Sequence, residues 1–166
     1  MEQLWSPWRS HYIQSFSSET PAKDECFLCT AAMSDMSKDE DLLIVGRREH
    51  CFIIMNRYPY NAGHLMVTPY RHVGDFSEVQ PEELYCIMQT LQEATEVFKK
   101  VLKPHGFNIG ANLGQVAGAG LPGHIHFHIV PRWNGDTNFM PVLSDVKVVS
   151  ESMEDMQKKL SLAFKK

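Results

Sequence analysis

Between Gly123 and Pro131 the chain reads Gly-His-Ile-His-Phe-His-Ile-Val-Pro, so histidine takes every second position, at 124, 126 and 128. No other stretch restricts the fold as much. Side chains in a strand alternate between two faces, which places the three imidazoles on one side and Ile125, Phe127 and Ile129 on the other. Next-nearest rings then stand ~6.6 to 7 Å apart. A helix would scatter them around its axis. The β-branched and aromatic residues between them, a glycine before and a proline after all favour a short strand. One wall of a sheet therefore carries a ladder of titratable rings, while its opposite face enters a core.

The remainder supplies the sheet and its cover. Residues 42–46, 51–56 and 64–69 read as strands. The Arg-Arg-Glu-His and Tyr-Pro-Tyr-Asn-Ala-Gly segments between them reverse the chain, which predicts an antiparallel meander. Over residues 80–103 the apolar positions Leu84, Ile87, Met88, Leu91, Phe98, Val101 and Leu102 form one stripe at helical spacing, with Pro81 suited to the first turn and Pro104 and Gly106 ending it. Residues 107–112 predict a further strand, and residues 151–164 a closing amphipathic helix. Five strands with one long helix and a C-terminal helix make an α+β fold.

At 166 residues this is one domain over 1–166, with 1–40 an extended N-terminal arm and a loop around Cys26-x-x-Cys29. With 43% hydrophobic and 22% charged residues the composition is that of an ordinary globular protein. No apolar run approaches the ~18 residues a membrane span needs. The opening Met-Glu-Gln-Leu-Trp-Ser-Pro-Trp-Arg lacks the pattern of a secretion signal, so a cytoplasmic location with reduced thiols is expected. A net charge of −4 without a basic tract disfavours polymeric nucleic acid as partner but leaves room for a local nucleotide site. Cys51 and Cys86 stand alone and read as small buried hydrophobes; His11, His50 and His105 read as surface residues, and Trp5 and Trp8 as part of a docked arm.

Gly118-Ala-Gly-Leu-Pro-Gly123 matches G-x-G-x-x-G, but it carries Pro122 and opens a strand, whereas a dinucleotide fingerprint opens a helix. The glycines at 110, 114, 118, 120 and 123 instead let backbone approach a ligand, with N–H groups able to line an anion; an idle turn is the alternative. For the histidine ladder three readings compete. It is a polar open face, a metal chelate, or a nucleophilic site in which imidazole, with its pKa of ~6.5, attacks phosphorus at neutral pH while neighbouring rings stabilise and protonate.

His124-Ile-His126-Phe-His128-Ile-Val resembles the signature of the histidine triad (HIT) family of nucleotide hydrolases and transferases. Asn56-Arg-Tyr-Pro-Tyr-Asn-Ala-Gly-His64-Leu-Met-Val-Thr-Pro-Tyr-Arg-His72 is similar to the family's earlier strand pair. Pro131-Arg-Trp-Asn-Gly-Asp-Thr-Asn-Phe139 and Leu4-Trp-Ser-Pro-Trp-Arg9 resemble the bacterial branch that includes diadenosine tetraphosphate phosphorylases. The resemblance implies a HIT-like antiparallel sheet and a covalent nucleotidyl-imidazole intermediate on His126. It implies that His124 orients backbone and ring, and that His128 and His64 contact phosphate oxygens and assist the leaving group. Asn56 would reach the ribose, and Asn112, Gly118 and Gly120, with Gln115 as the nearest polar substitute, would face the phosphates. The substrate class implied is a dinucleoside polyphosphate or a related nucleoside phosphate or phosphoramidate, with an adenine nucleotide as the expected moiety, and the assembly a homodimer. One departure stands out: relatives carry a Ser or Thr shortly before the triad, and residues 107–131 contain neither. That opens the choice between water and phosphate as second acceptor. A nucleotide-binding or zinc-stabilised interaction module with vestigial catalysis is the competing reading.

Some relatives bind zinc, and the resemblance assigns its ligands here to Cys26, Cys29, His72 and His124. Four protein ligands would make such an ion structural. Two buried free thiols are the alternative.

Overall fold

Apolar residues from Ile44 to Pro69 are interrupted twice by turn-forming polar segments, and the chain reverses at both. The computed structural model describes residues 26–136 and 151–165. In it β1 (Ile44–Arg47), β2 (Cys51–Met55) and β3 (Leu65–Pro69) form the expected antiparallel meander, with Cys51 opposite Pro69 and Met55 opposite Leu65. β4 (Gly106–Ala111) and β5 (Phe127–Arg132) complete a five-stranded antiparallel sheet in the order β1-β2-β3-β5-β4. β5 thus lies between β3 and β4, and His128 sits opposite Met66 on one side and Gly110 on the other.

The long helix α2 (Pro81–Val101) begins with a reciprocal cap: the Gln80 N–H donates to Glu83 at 2.9 Å, and the Glu83 amide reaches the Gln80 side chain. Arg71 donates to both Glu83 oxygens at 3.1 and 2.8 Å, fixing the helix start against the end of β3. Ile87, Leu91, Ala94 and Phe98 of α2 pack on Ile53, Val67, Ile125, Phe127 and Ile129 of the sheet. α3 (Met153–Phe164), capped by Ser152, adds Met156, Leu160 and Phe164 to the same core. Among the described residues no helix is long and apolar enough to cross a membrane.

The sheet's other face is covered as well. There Ile44, Phe52, Ile54 and Met66 meet Cys26, Leu28, Cys29 and Ala31, the last three from α1 (Phe27–Met33). This corrects the loop expected around Cys26-x-x-Cys29. A helix of seven residues without a side-chain cap at its N-terminus shows almost no periodicity in sequence; tertiary partners hold it instead. Residues 1–25, which include most of the expected arm with Trp5, Trp8 and His11, lie outside the described residues. The histidine strand also starts later than its pattern suggests. At Ile125 the N–H donates to the Val73 carbonyl at 2.7 Å and the carbonyl accepts from the Thr68 hydroxyl at 2.8 Å, so regular pairing with β3 begins only at Phe127.

Candidate active site and metal centre

The alternation holds: Ile125, Phe127 and Ile129 enter the core, and His124, His126 and His128 occupy the opposite face. That face is not open, since all three histidines are at most 8% exposed. Nor do the three rings form a uniform ladder. His126 and His128 meet edge to face with centroids 5.0 Å apart, closer than a flat strand places them, whereas His124 turns toward His72, 5.3 Å away.

Hydrogen bonds decide which nitrogen of each ring carries a proton. The backbone carbonyl of His124 lies 2.8 Å from His126 Nδ1. A carbonyl only accepts, so Nδ1 is the protonated nitrogen and Nε2 keeps its lone pair. Burial holds the His126 pKa below the usual histidine value, so the ring is neutral at neutral pH; the His124 carbonyl opposes this only in part. At His64 the logic runs the other way. The Tyr60 N–H donates to His64 Nδ1 at 3.0 Å, which leaves the proton on Nε2, and this nitrogen lies 2.9 Å from His128 Nδ1. His128 Nδ1 therefore accepts, and the neutral ring carries its proton on Nε2. Two adjacent rings so present opposite chemistry, a lone pair on His126 and an N–H on His128.

Both line a cavity of about 900 Å³, together with Asn56, Arg57, Tyr58, Gly118 and Gly120; its apolar wall includes Phe27, Ile54, Met66 and Leu121. The size suits a nucleotide. Of the residues singled out from the sequence, His126, His128, Asn56, Gly118 and Gly120 meet there. His64, only 1% exposed, stands behind His128 and reaches the cavity through that ring. Asn56 Oδ1 accepts from the Tyr58 N–H at 2.8 Å, leaving its amide group for a ligand. Asn112 braces the glycine loop by donating to the Gly118 carbonyl at 3.2 Å. Gln115 is exposed in the turn Gln115–Ala117, where its carbonyl accepts from the Gly118 N–H at 2.9 Å. The Ala119 N–H likewise closes the turn on Gly114, so these amides hold the loop together and do not line an anion. Gly118, at φ +90°, is left-handed as only glycine tolerates readily.

Reasoning from sequence missed Phe27, Arg57, Tyr58 and Leu121. Arg57 and Tyr58 directly follow Asn56, and that adjacency was the available signal. Leu121 likewise directly follows Gly120, whereas Phe27 had no such signal, because only the packing of α1 under the sheet brings it to the cavity.

A second group, centred on His124, gathers elsewhere on the same face. Cys26, Cys29, His72 and His124 present one donor atom each, all within 4.8 Å of one another. His124 Nε2 donates to the Pro69 carbonyl at 2.9 Å, so Nδ1 carries the lone pair and points to Cys26 Sγ at 3.3 Å and Cys29 Sγ at 3.5 Å. His72 Nδ1 lies 3.2 Å from Cys29 Sγ. A tetrahedral zinc site with two sulfur and two nitrogen ligands has N–S edges of about 3.6 Å, so a modest expansion fits an ion into this set. Burial, reinforced by the neighbouring His72 and His126, drives His124 down to about 4 and keeps it neutral, as a ligand must be. Both nitrogens of His124 are thereby committed, and its service to the cavity is the carbonyl that orients His126.

Comparison with known proteins yields a coherent set. A family model described as the HIT domain matches residues 37–135. The chain is 37% identical over 166 residues to the AP-4-A phosphorylase of Mycobacterium tuberculosis, covering 97% of this chain and 83% of that one. It is 34% identical over 82 residues to the asymmetrical bis(5'-nucleosyl)-tetraphosphatase of Schizosaccharomyces pombe, covering 49% and 44% of the two chains. Among solved structures, a Zn-bound histidine triad family protein from Mycobacterium smegmatis superposes with a TM-score of 0.68 at 25% identity, over 87% of this chain and 96% of that one.

Proposed function

Because the chain belongs to the histidine triad family, we propose that it cleaves dinucleoside polyphosphates, or related nucleoside phosphates and phosphoramidates, by nucleotidyl transfer through His126. The observation that carries this reading is the pair of opposite tautomers on one cavity wall. His126 Nε2 attacks the α-phosphorus, the bond to the bridging oxygen or nitrogen breaks, and the nucleotide is held on Nε2 as a phosphoramidate. The His128 N–H donates to a phosphoryl oxygen as charge builds there and is placed to protonate the leaving group. His64 fixes that proton on the outward nitrogen of His128, and the His124 carbonyl fixes the lone pair of His126. Asn56 offers its amide to the ribose. Among the described residues lining the cavity, Arg57 alone has a permanent charge, which suits the remaining phosphates.

A second acceptor then releases the nucleotide. Water yields a nucleoside monophosphate and inorganic phosphate yields the diphosphate. The names of the mycobacterial and yeast relatives point to one outcome each. Incubating the protein with diadenosine tetraphosphate, with and without inorganic phosphate, separates them: AMP plus ATP signals hydrolysis and ADP plus ATP signals phosphorolysis. Binding without turnover under both conditions would leave the interaction-module reading standing.

We also assign zinc to Cys26, Cys29, His72 and His124, supported by the donor set and by the Zn-bound relative. With four protein ligands the ion leaves no position for substrate; its contribution when bound is to brace α1 against the segment before β5. Thiolate ligands need a reducing compartment, which supports a cytoplasmic location. The domain is read as spanning 1–166 and as a homodimer. β4 is a sheet edge whose Ile109 is 50% exposed, with Leu113 and Val116 exposed beside it, and edge pairing between two copies would cover that row.

A further inference from the structure

Away from the cavity, on the sheet face that carries α2 and α3, two further thiols nearly touch. Cys51 opens β2, Cys86 lies on α2, and their Sγ atoms are 3.1 Å apart. Non-bonded sulfurs ordinarily stand off by more than this, and a disulfide needs about 2.05 Å, so bonding requires a further approach of about 1 Å. The two thiols differ in access. Cys51 is fully buried, and Cys86 is half-buried and lines a cleft of about 360 Å³ with Arg48, His50, Glu82 and Tyr85.

We propose that Cys51 and Cys86 form a peroxide-oxidisable dithiol, a modification site distinct from the metal-binding cysteines. Cys86 reacts first, because the cleft admits a small oxidant to it. Its sulfur attacks one peroxide oxygen; the S–O bond forms, the O–O bond breaks, and the departing hydroxide leaves as water with the thiol proton. The Cys51 sulfur then attacks the sulfenic sulfur of Cys86. The S–S bond forms, the S–O bond breaks, and the hydroxyl leaves as a second water with the Cys51 proton. Two thiols are oxidised and one hydrogen peroxide is reduced. Cys51 is fully buried and does not line the cleft, which keeps it out of the first step. Burial also pushes its thiol up to about 12, with the Thr90 hydroxyl at 3.5 Å opposing, so its proton leaves only as it attacks and departs with the hydroxyl. Because the partner sulfur is already in contact, the sulfenic acid is resolved within the protein before a second peroxide can overoxidise it.

The product would join residues 35 apart in sequence and tie β2 to the long helix, so oxidation should stabilise the fold and not loosen it. The test treats the purified full-length, metal-loaded protein with stoichiometric hydrogen peroxide, then blocks remaining thiols and maps peptides. The expected result is a reductant-sensitive peptide joining Cys51 to Cys86, with a Tm raised by roughly 5 °C or more. In Cys51→Ala the sulfenic acid on Cys86 should persist and react with a 1,3-diketone probe, and in Cys86→Ser Cys51 should stay a thiol. Either of two results would overturn the proposal: both cysteines remaining thiols under peroxide that oxidises surface methionines, or Cys86 accumulating sulfenic or sulfinic acid in the wild type without a link to Cys51.

Discussion

Arg47 on β1 reaches back to the end of α1, and its replacement gives the sharpest test of how the helix that carries Cys29, one of the proposed zinc ligands, is held. Its guanidinium donates to the carbonyls of Ala31 at 3.2 Å, Ala32 at 3.3 Å and Ser34 at 3.3 Å, to Ser34 Oγ at 3.0 Å, and to Asp39 Oδ1 at 2.7 Å. Ser34 already caps Ala31 with its N–H at 3.3 Å and its hydroxyl at 2.7 Å, and the guanidinium extends that cap to the Ala32 and Ser34 carbonyls at the helix C-terminus. Met in place of Arg47 keeps the length of the side chain and removes every donor. Breaking a buried ion pair costs about 3 to 5 kcal/mol. The side chains of Arg47 and Asp39 are 15% and 23% exposed, so water rescues part of the loss and the expected cost falls to about 2 to 4 kcal/mol. At 2 to 4 °C per kcal/mol for a chain of this length, Tm should drop by roughly 5 to 15 °C. Urea unfolding followed by circular dichroism gives the free energy, and elemental analysis after dialysis shows whether metal retention falls with it. Arg47→Lys keeps the charge but not the planar fork, and should recover less than half of the loss. A Met variant within about 0.5 kcal/mol of wild type, or a Lys variant equal to it, would refute the stapling argument.

Three further outcomes follow from particular contacts. Arg71 holds the Glu83 carboxyl below its ordinary value of 4.5, against the opposing effect of burial, so the folded pKa is the lower one. The pair's contribution is therefore complete above about pH 4.5 and is lost as pH falls through the folded value; Glu83→Gln should flatten this part of the acid limb of a stability–pH curve. A methyl group on Gly74 would strike the Pro122 carbonyl and stand 2.9 Å from Gly123 Cα. Gly74→Ala should cost about 1 to 3 kcal/mol and lower kcat, because the displaced turn leads directly into His124 and His126; unchanged stability and rate would show that the turn yields freely. Ile109→Lys should convert a dimer to monomers in analytical ultracentrifugation, and an unaltered mass would remove β4 from the proposed interface.

The histidine strand, the long helix and the C-terminal helix were legible because each rests on a sustained period, as in the strict alternation at 124–129 and the stripe Ile87, Leu91, Phe98 along α2. β1 to β3 were legible only as apolar runs parted by turn-forming segments, β2 and β3 being buried on both faces. The metal set was legible only through resemblance, since Cys26 and Cys29 lie 43 or more residues from their histidine partners. The short helix α1 was not legible, because Arg47 and the buried face of the sheet hold it and its own seven residues do not. The differing roles of the three histidines were equally hidden. Alternation puts them on one face, but the carbonyls of Pro69 and His124 and the ring of His64 decide which nitrogen each one offers.

The attacking nitrogen is tested most directly by trapping. Diadenosine tetraphosphate mixed with the protein, quenched within the first turnover under conditions that preserve phosphoramidates and digested for mass spectrometry, should yield a peptide carrying an adenylyl group on His126. The label should be absent from His126→Ala. Turnover at the wild-type rate in His126→Ala, or a label on His124 or His128 instead, would contradict the account.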